Sequence, residues 1–272
     1  MTFEEKHGTG AATSGKGWLA RHPLIFYFTL TYAISWSLWW LSGRVPGVLG
    51  SFLSVAGGLG PMAAAGITLS LTGGSLLEWA RRIVSWRVPL RYYLYAVGLP
   101  VLAMAALNLA VIALGRQPDP SMLVARLPAY LETLLITGVI FGGLEEPGWR
   151  GFGLPRLEQR YSPVVATLIL GLAWGIWHVP PFGPTGFLFP LVLAFYFTWL
   201  YNRTGSVLLC ILLHASISAA QDHLLLTADA PVVHVVLLGG YVLGVGLLIA
   251  ITRGGLGYDH GAVSESGADH LG

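Results

Sequence analysis

Apolar residues run along this chain in long, nearly unbroken stretches, and polar residues collect between them. Eight stretches can be marked, at 24–41, 48–71, 92–114, 127–144, 163–180, 187–201, 205–221 and 231–251. Most approach the roughly 20 residues that a helix needs to cross a hydrocarbon core, the sixth being short. The pattern predicts an all-α polytopic membrane protein, a bundle of about eight transmembrane helices. One polar interval has a period of its own. In "SLLEWARRIVSWR" (75–87), Glu78, Arg81, Arg82 and Ser85 form a polar stripe at helical spacing, with Trp79, Ile83 and Trp86 off it. This predicts a short helix lying in the headgroup layer.

Composition strengthens the membrane reading. Of 272 residues, 54% are hydrophobic and only 10% charged, whereas a soluble globule carries roughly a quarter charged residues. The expected organisation is an N-terminal arm (1–23), a membrane domain (24–253, with the motif-bearing core at 127–221) and a C-terminal tail (254–272). Both ends are rich in small polar residues and are expected to be disordered. The arm does not read as a cleavable signal. Cys210 is the single cysteine, so no intrachain disulfide can form and it reads as core filler. No phosphate-binding loop or nucleic-acid signature is evident.

The cations orient the bundle. With an even number of crossings and both termini cytoplasmic, Lys6, Lys16, Arg21, Arg81, Arg82, Arg87, Arg91, Arg156, Arg160, Arg203 and Arg253 share the inner side. Only Arg44, Arg116 and Arg126 lie outside, and Arg150 falls within the membrane. The positive-inside rule favours this orientation in a cell membrane.

Charged groups inside lipid cost several kcal/mol unless paired or hydrated, so each is a candidate for function. The candidates are Glu132, Glu145, Glu146, Arg150, His178 and His214. Glu132 lies near the outer headgroups and reads as an interfacial acid, and His223 and His234 flank an outer loop and read as hydrogen-bonded structural residues. In "GGLEEPGWRGFG" (142–153), Glu146 and Arg150 stand four apart, the spacing of an ion pair on one helix face. Consecutive helix residues point about 100° apart, so Glu145 faces elsewhere and has no local partner. If the fourth and fifth helices form a hairpin turning at Tyr161–Ser162, Glu145 and His178 lie at similar depth on either side of it. His214, in the seventh helix, reaches the same general depth, with Ser218 one turn on. A carboxylate and two imidazoles can therefore converge inside the bundle.

Three stretches, "EEPGWRG" (145–151), "WGIWH" (174–178) and "YNRTGSVLLCILLHASIS" (201–218), resemble the CPBP family. These are intramembrane endopeptidases related to the type II CAAX prenyl proteases and to bacteriocin-processing or immunity (Abi-like) proteins. The resemblance covers about residues 140–220. It implies an active site inside the bundle, acting on a membrane-associated peptide or protein substrate, CAAX-like or bacteriocin-type. Glu145 with His178 would activate a water, and His214 would stabilise the oxyanion. Glu146 and Arg150 would orient the site, and Trp174 would stand at an aromatic, substrate-contacting position where Phe is more usual. Ser218 stands where the family commonly has Asn, a shorter donor at an oxyanion position. The resemblance implies no cofactor; Glu145, His178 and His214 with a water also make a plausible zinc set. Two other readings remain at this stage: a non-catalytic CPBP-like immunity or partner-binding protein, and a proton-coupled transporter, since buried Glu, Arg and His also make proton relays.

Overall fold

The computed structural model describes residues 17–115, 117, 119–226 and 231–258, and among these it contains helices and no strand. The helices are α1 (Pro23–Ser42), α2 (Gly47–Gly58), α3 (Gly60–Thr72), α4 (Leu76–Ile83), α5 (Leu90–Ala113), α6 (Ser121–Glu158), α7 (Pro163–Phe182), α8 (Leu188–Thr204), α9 (Val207–His223) and α10 (Pro231–Ile251). Six described helical spans are long and apolar enough to cross a membrane: α1, α5, α6, α7, α8 with its preceding turn, and α10. The pair α2–α3, bent by 56°, makes a seventh if taken as one span, and α9 is shorter. Each of the eight apolar stretches is thus a helix or a bent pair, and the expected count of eight is approximate. Large apolar side chains such as Leu94, Leu102, Leu109, Leu243 and Ile251 are exposed, as expected where the surrounding medium is lipid.

The bend between α2 and α3 has a local cause. Pro61 has no N–H to continue the helix, and Gly60 presses on α1 so closely that a Cβ there would overlap Ser35. The predicted headgroup helix is α4. Ser75 Oγ caps it by accepting from the Glu78 N–H at 3.1 Å, and Glu78, Arg81 and Arg82 remain exposed. Its Trp79 indole N–H donates to the carbonyl of Pro147 at 2.9 Å, which ties the surface helix to the motif segment of α6.

Although short, α9 is the helix around which the others pack. It contacts α4, α5, α8 and nearly the whole length of α6. Ser206 Oγ caps its start, accepting from the Leu209 N–H at 3.2 Å while donating to the Ser85 carbonyl at 2.6 Å. Small residues make this packing close: Ala215, Ala219 and Ala220 are fully buried, and Gly138 of α6 lies directly against Ala215. Cys210 is buried as core filler, its Sγ 3.9 Å from the Phe197 carbonyl.

The two arms expected to be disordered lie largely outside the described residues. The described parts are ordered further than expected: residues 17–21 are helical, and Leu256 is fully buried with its carbonyl accepting from Asn202 at 3.3 Å. Asn202 also donates to Glu158 at 2.7 Å, locking the ends of α6 and α8 to the segment after α10.

Candidate active site

The geometry starts from a break in α6. Gly142 leaves the helical region (φ −132°, ψ −50°), and residues Gly143–Glu145 tighten into a 3-10 turn. Pro147 explains why: it offers no N–H to the carbonyl four residues back and its ring crowds that carbonyl. The chain then loosens into a π-helical turn over Trp149–Gly153, all of whose residues are buried. Such turns often mark functional sites, because they re-aim the side chains on either side. Here the result is that Glu145 and Glu146 address different partners.

Glu146 is fully buried and receives Arg150 Nη1 on both oxygens, at 2.9 and 3.1 Å. His214 Nδ1 lies 2.8 Å from Glu146 Oε1. Arg150 is equally buried, and its guanidinium carbon sits 4.2 Å from the centre of the Trp174 ring and 4.3 Å from that of Phe197. A charge removed from water needs this degree of compensation. The ion pair expected from the i, i+4 spacing is therefore present, extended by an imidazole from α9 and an aromatic clamp from α7 and α8.

Glu145 points away from that pair. Its Oε2 accepts from the Trp174 indole N–H at 2.8 Å, and its other oxygen makes no hydrogen bond among the described residues. Trp174 is also the meeting point of the histidines. Its carbonyl accepts from His178 Nδ1 at 2.9 Å, and its ring lies edge-on to those of His178 and His214, at 5.5 and 5.6 Å between centroids. Because a carbonyl only accepts, His178 Nδ1 carries a proton, and in the neutral ring Nε2 is a bare acceptor.

Glu145, Trp174, His178, His214 and Ser218 all line one cavity of about 1080 Å³. Its remaining walls are largely apolar, with Phe141, Phe182, Phe189 and Leu193 among them. Among the described residues Ser218 Oγ has no hydrogen-bond partner. Trp174, expected to touch substrate, lines the cavity but commits its indole N–H to Glu145. Among the described residues, no group of three His, Cys, Asp or Glu side chains is arranged to hold a metal ion.

Glu132 and His223 have partners away from Glu145 and Glu146. Glu132 is exposed and accepts from Thr137 Oγ1. His223 Nε2 pairs with Thr133 Oγ1 at 2.8 Å, and His234 lines the cavity near its rim. Two contributors were not foreseen. Phe197 forms one side of the arginine clamp. Gly142 leaves room for the His214 ring: a Cβ there would lie 2.5 Å from Nε2 and 2.6 Å from Cδ2. The double glycine before Glu145 was the available signal for the second of these.

Comparison with known proteins agrees with this part of the chain. Residues 127–220 match the family model described as type II CAAX prenyl endopeptidase, Rce1-like. A 108-residue stretch is 32% identical to CAAX prenyl protease 2 of Methanococcus maripaludis, covering 33% of this chain and 40% of that protein. The chain therefore matches less than half the length of this curated relative. Residues 127–220, which supply Glu145, Trp174, His178, His214 and Ser218, are thus similar to the Rce1-like type II CAAX prenyl endopeptidases.

Proposed function

We propose that this protein is a multi-pass intramembrane endopeptidase with both termini cytoplasmic, hydrolysing a peptide bond in a membrane-associated peptide or protein. The observation that carries the reading is Glu145, a buried carboxylate at the cavity with one oxygen fixed by Trp174 and the other without a hydrogen bond among the described residues. The name of the archaeal relative adds a CAAX-type tail as one substrate class, and a bacteriocin-type peptide is the other.

In the proposed reaction a water accepts its position from His178 Nε2, to which it donates one hydrogen bond, and gives its other proton to Glu145. The water oxygen forms a bond to the scissile carbonyl carbon as that proton leaves. The C–N bond then breaks, and Glu145 passes the proton to the departing amine. The products are a carboxylic acid and an amine; the second water proton then passes from the acid to the amine, leaving a carboxylate and an ammonium, so that atoms and charge balance. A positioned base of this kind contributes roughly 10²–10⁴-fold. His214 holds a proton on Nδ1 toward Glu146. Two carboxylates face one guanidinium in the buried set, so a further proton on His214 balances it and supplies Nε2–H as a donor to the oxyanion. Ser218 supplies a second, hydroxyl donor. No step is assigned to a metal.

The test uses purified protein in proteoliposomes with internally quenched peptides ending in a CAAX sequence, farnesylated or not, and with an unprenylated apolar leader peptide. Cleavage of at least one, mapped by mass spectrometry and unchanged by a chelator, is the expected result. A transport or binding signal with no new peptide termini would contradict it. So would activity abolished by the chelator and restored by zinc.

A further inference from the structure

The cavity is lopsided in charge. Its lining includes two carboxylates, Glu145 and Asp222, and among the described residues no lysine or arginine. Arg150 does not offset them, because it lies outside the lining, fully buried and paired with Glu146. Arg126, whose guanidinium donates to the Leu225 carbonyl at 2.7 Å, also lies outside it. Glu145 has a place in the proposed reaction. Asp222 has none, and its charge is the feature left to explain.

Asp222 is aligned with the reacting groups. His214, Ser218 and Asp222 stand at i, i+4 and i+8 of α9, one above the other on a single helix face, and all three line the cavity. The opposite side of the helix, including Leu213, Ala215, Ala219 and Ala220, is buried in the protein. Asp222 is exposed, and neither ion pair among the described residues involves it. Its neighbour His223 is turned to Thr133 Oγ1 at 2.8 Å. Leu225 and Val233 lie beside it in the lining, an apolar surface on which the methylene stem of a long cationic side chain can rest.

We propose that Asp222 is a specificity-determining residue, and that the substrate is an apolar peptide segment with one cationic side chain three or four residues from the cut bond. The proposal rests on the peptidase reading given above. At ~1.5 Å per residue, Asp222 stands about 12 Å along α9 from His214. An extended peptide advances ~3.3 Å per residue, so a chain lying along this face covers that distance in roughly three to four residues. A lysine or arginine there meets the Asp222 carboxylate while the residues between it and the cut bond lie against apolar walls. A carboxylate at the same place is repelled. The contact is made equally with the bound peptide and the transition state, so it acts through KM rather than kcat.

The experiment uses the purified protein in proteoliposomes of uncharged phosphatidylcholine, so that the lipid itself does not concentrate cationic peptides. One apolar, internally quenched peptide is made with a single Lys, Gln or Glu at each of the five positions on either side of the cut bond. On one side, Lys three or four residues away should raise kcat/KM about fivefold over Gln, as for a good exposed ion pair, with kcat nearly constant. The ratio should shrink as salt is added. Within Asp222→Asn the Lys and Gln peptides should become equal, and within Asp222→Lys the Glu peptide should be preferred at that same position. A parent protein indifferent to Lys at every position would overturn the proposal, as would a Lys preference that Asp222→Asn retains. Capture of the same peptides by Glu145→Gln, which needs no cleavage, is the second arm. Lys-selective capture lost in the Glu145→Gln, Asp222→Asn double variant, with no peptide cut by the parent, would support the role of Asp222 and count against the peptidase reading. Capture without charge preference would overturn the role of Asp222 and leave the peptidase reading intact wherever cleavage is seen.

Discussion

Replacing Gly142 with alanine isolates the position of one imidazole from the chemistry of the others. The backbone at Gly142 (φ −132°) is open to an L side chain, so the change introduces a methyl group and little backbone strain. That methyl carbon would stand 2.5 Å from His214 Nε2, about 1 Å inside ordinary contact at roughly 3.5 Å. Either the ring or the Gly142 turn must therefore move by about 1 Å. The ring is held on its far side by Glu146 at 2.8 Å, so the shift lengthens that bond or carries Glu145, three residues on, with it. A misplacement of this size costs on the order of 100-fold in rate. The assay is cleavage of the reporter peptide in proteoliposomes, alongside thermal unfolding in detergent. Gly98→Ala is the matched control, since a Cβ at Gly98 meets nothing within 4 Å. Parental activity in a folded Gly142→Ala protein would refute the placement of His214 at the reacting centre.

Three further outcomes are expected. Ser218→Asn replaces a short hydroxyl by a longer amide at the cavity wall; if this wall receives the oxyanion, cleavage rises, by up to the ~100-fold that one good donor is worth, with binding of uncleaved peptide nearly unchanged. Arg150→Met leaves Glu146 buried without its guanidinium, and loss of one partner of a buried pair costs about 3–5 kcal/mol; the melting temperature should fall steeply or the protein fail to accumulate. At the exposed start of α6, Asp119 Oδ1 accepts from the Ser121 N–H and Oγ at 2.9 and 2.7 Å, and these bonds hold its carboxyl below the usual range. A lowered folded-state pKa stabilises above the unfolded value of roughly 3.9, and the contribution disappears as pH falls through the folded value; Asp119→Asn should therefore flatten the acid limb of a stability–pH curve.

The sequence was informative wherever the physics is local. Eight apolar stretches correspond to helices because spanning length and hydropathy are properties of consecutive residues. The Glu146–Arg150 pair is visible for the same reason, being one turn apart. The amphipathic α4 announces itself by its polar stripe. Less could be read where partners are distant along the chain. Glu145 and Trp174 are 29 residues apart and Glu146 and His214 are 68 apart, and equal depth does not say which faces meet. Trp174 was read as a substrate contact from its position in a motif; that its indole would be turned onto Glu145 depends on the rotation produced by Gly142, Gly143 and Pro147. The central place of α9 was equally hidden, since a short helix of ordinary hydropathy carries no mark of being surrounded. Phe197 looked like any other aromatic of an apolar run.

The most direct measurement compares Glu145→Gln with the parent protein in the same vesicles. The amide keeps the size of the carboxylate and an oxygen for the Trp174 indole, but it cannot take a proton from water. Loss of at least ~100-fold in cleavage, with unchanged melting temperature and retained capture of intact peptide, is the predicted result. Cleavage at the parental rate by the folded variant would contradict the assignment of Glu145 as the base.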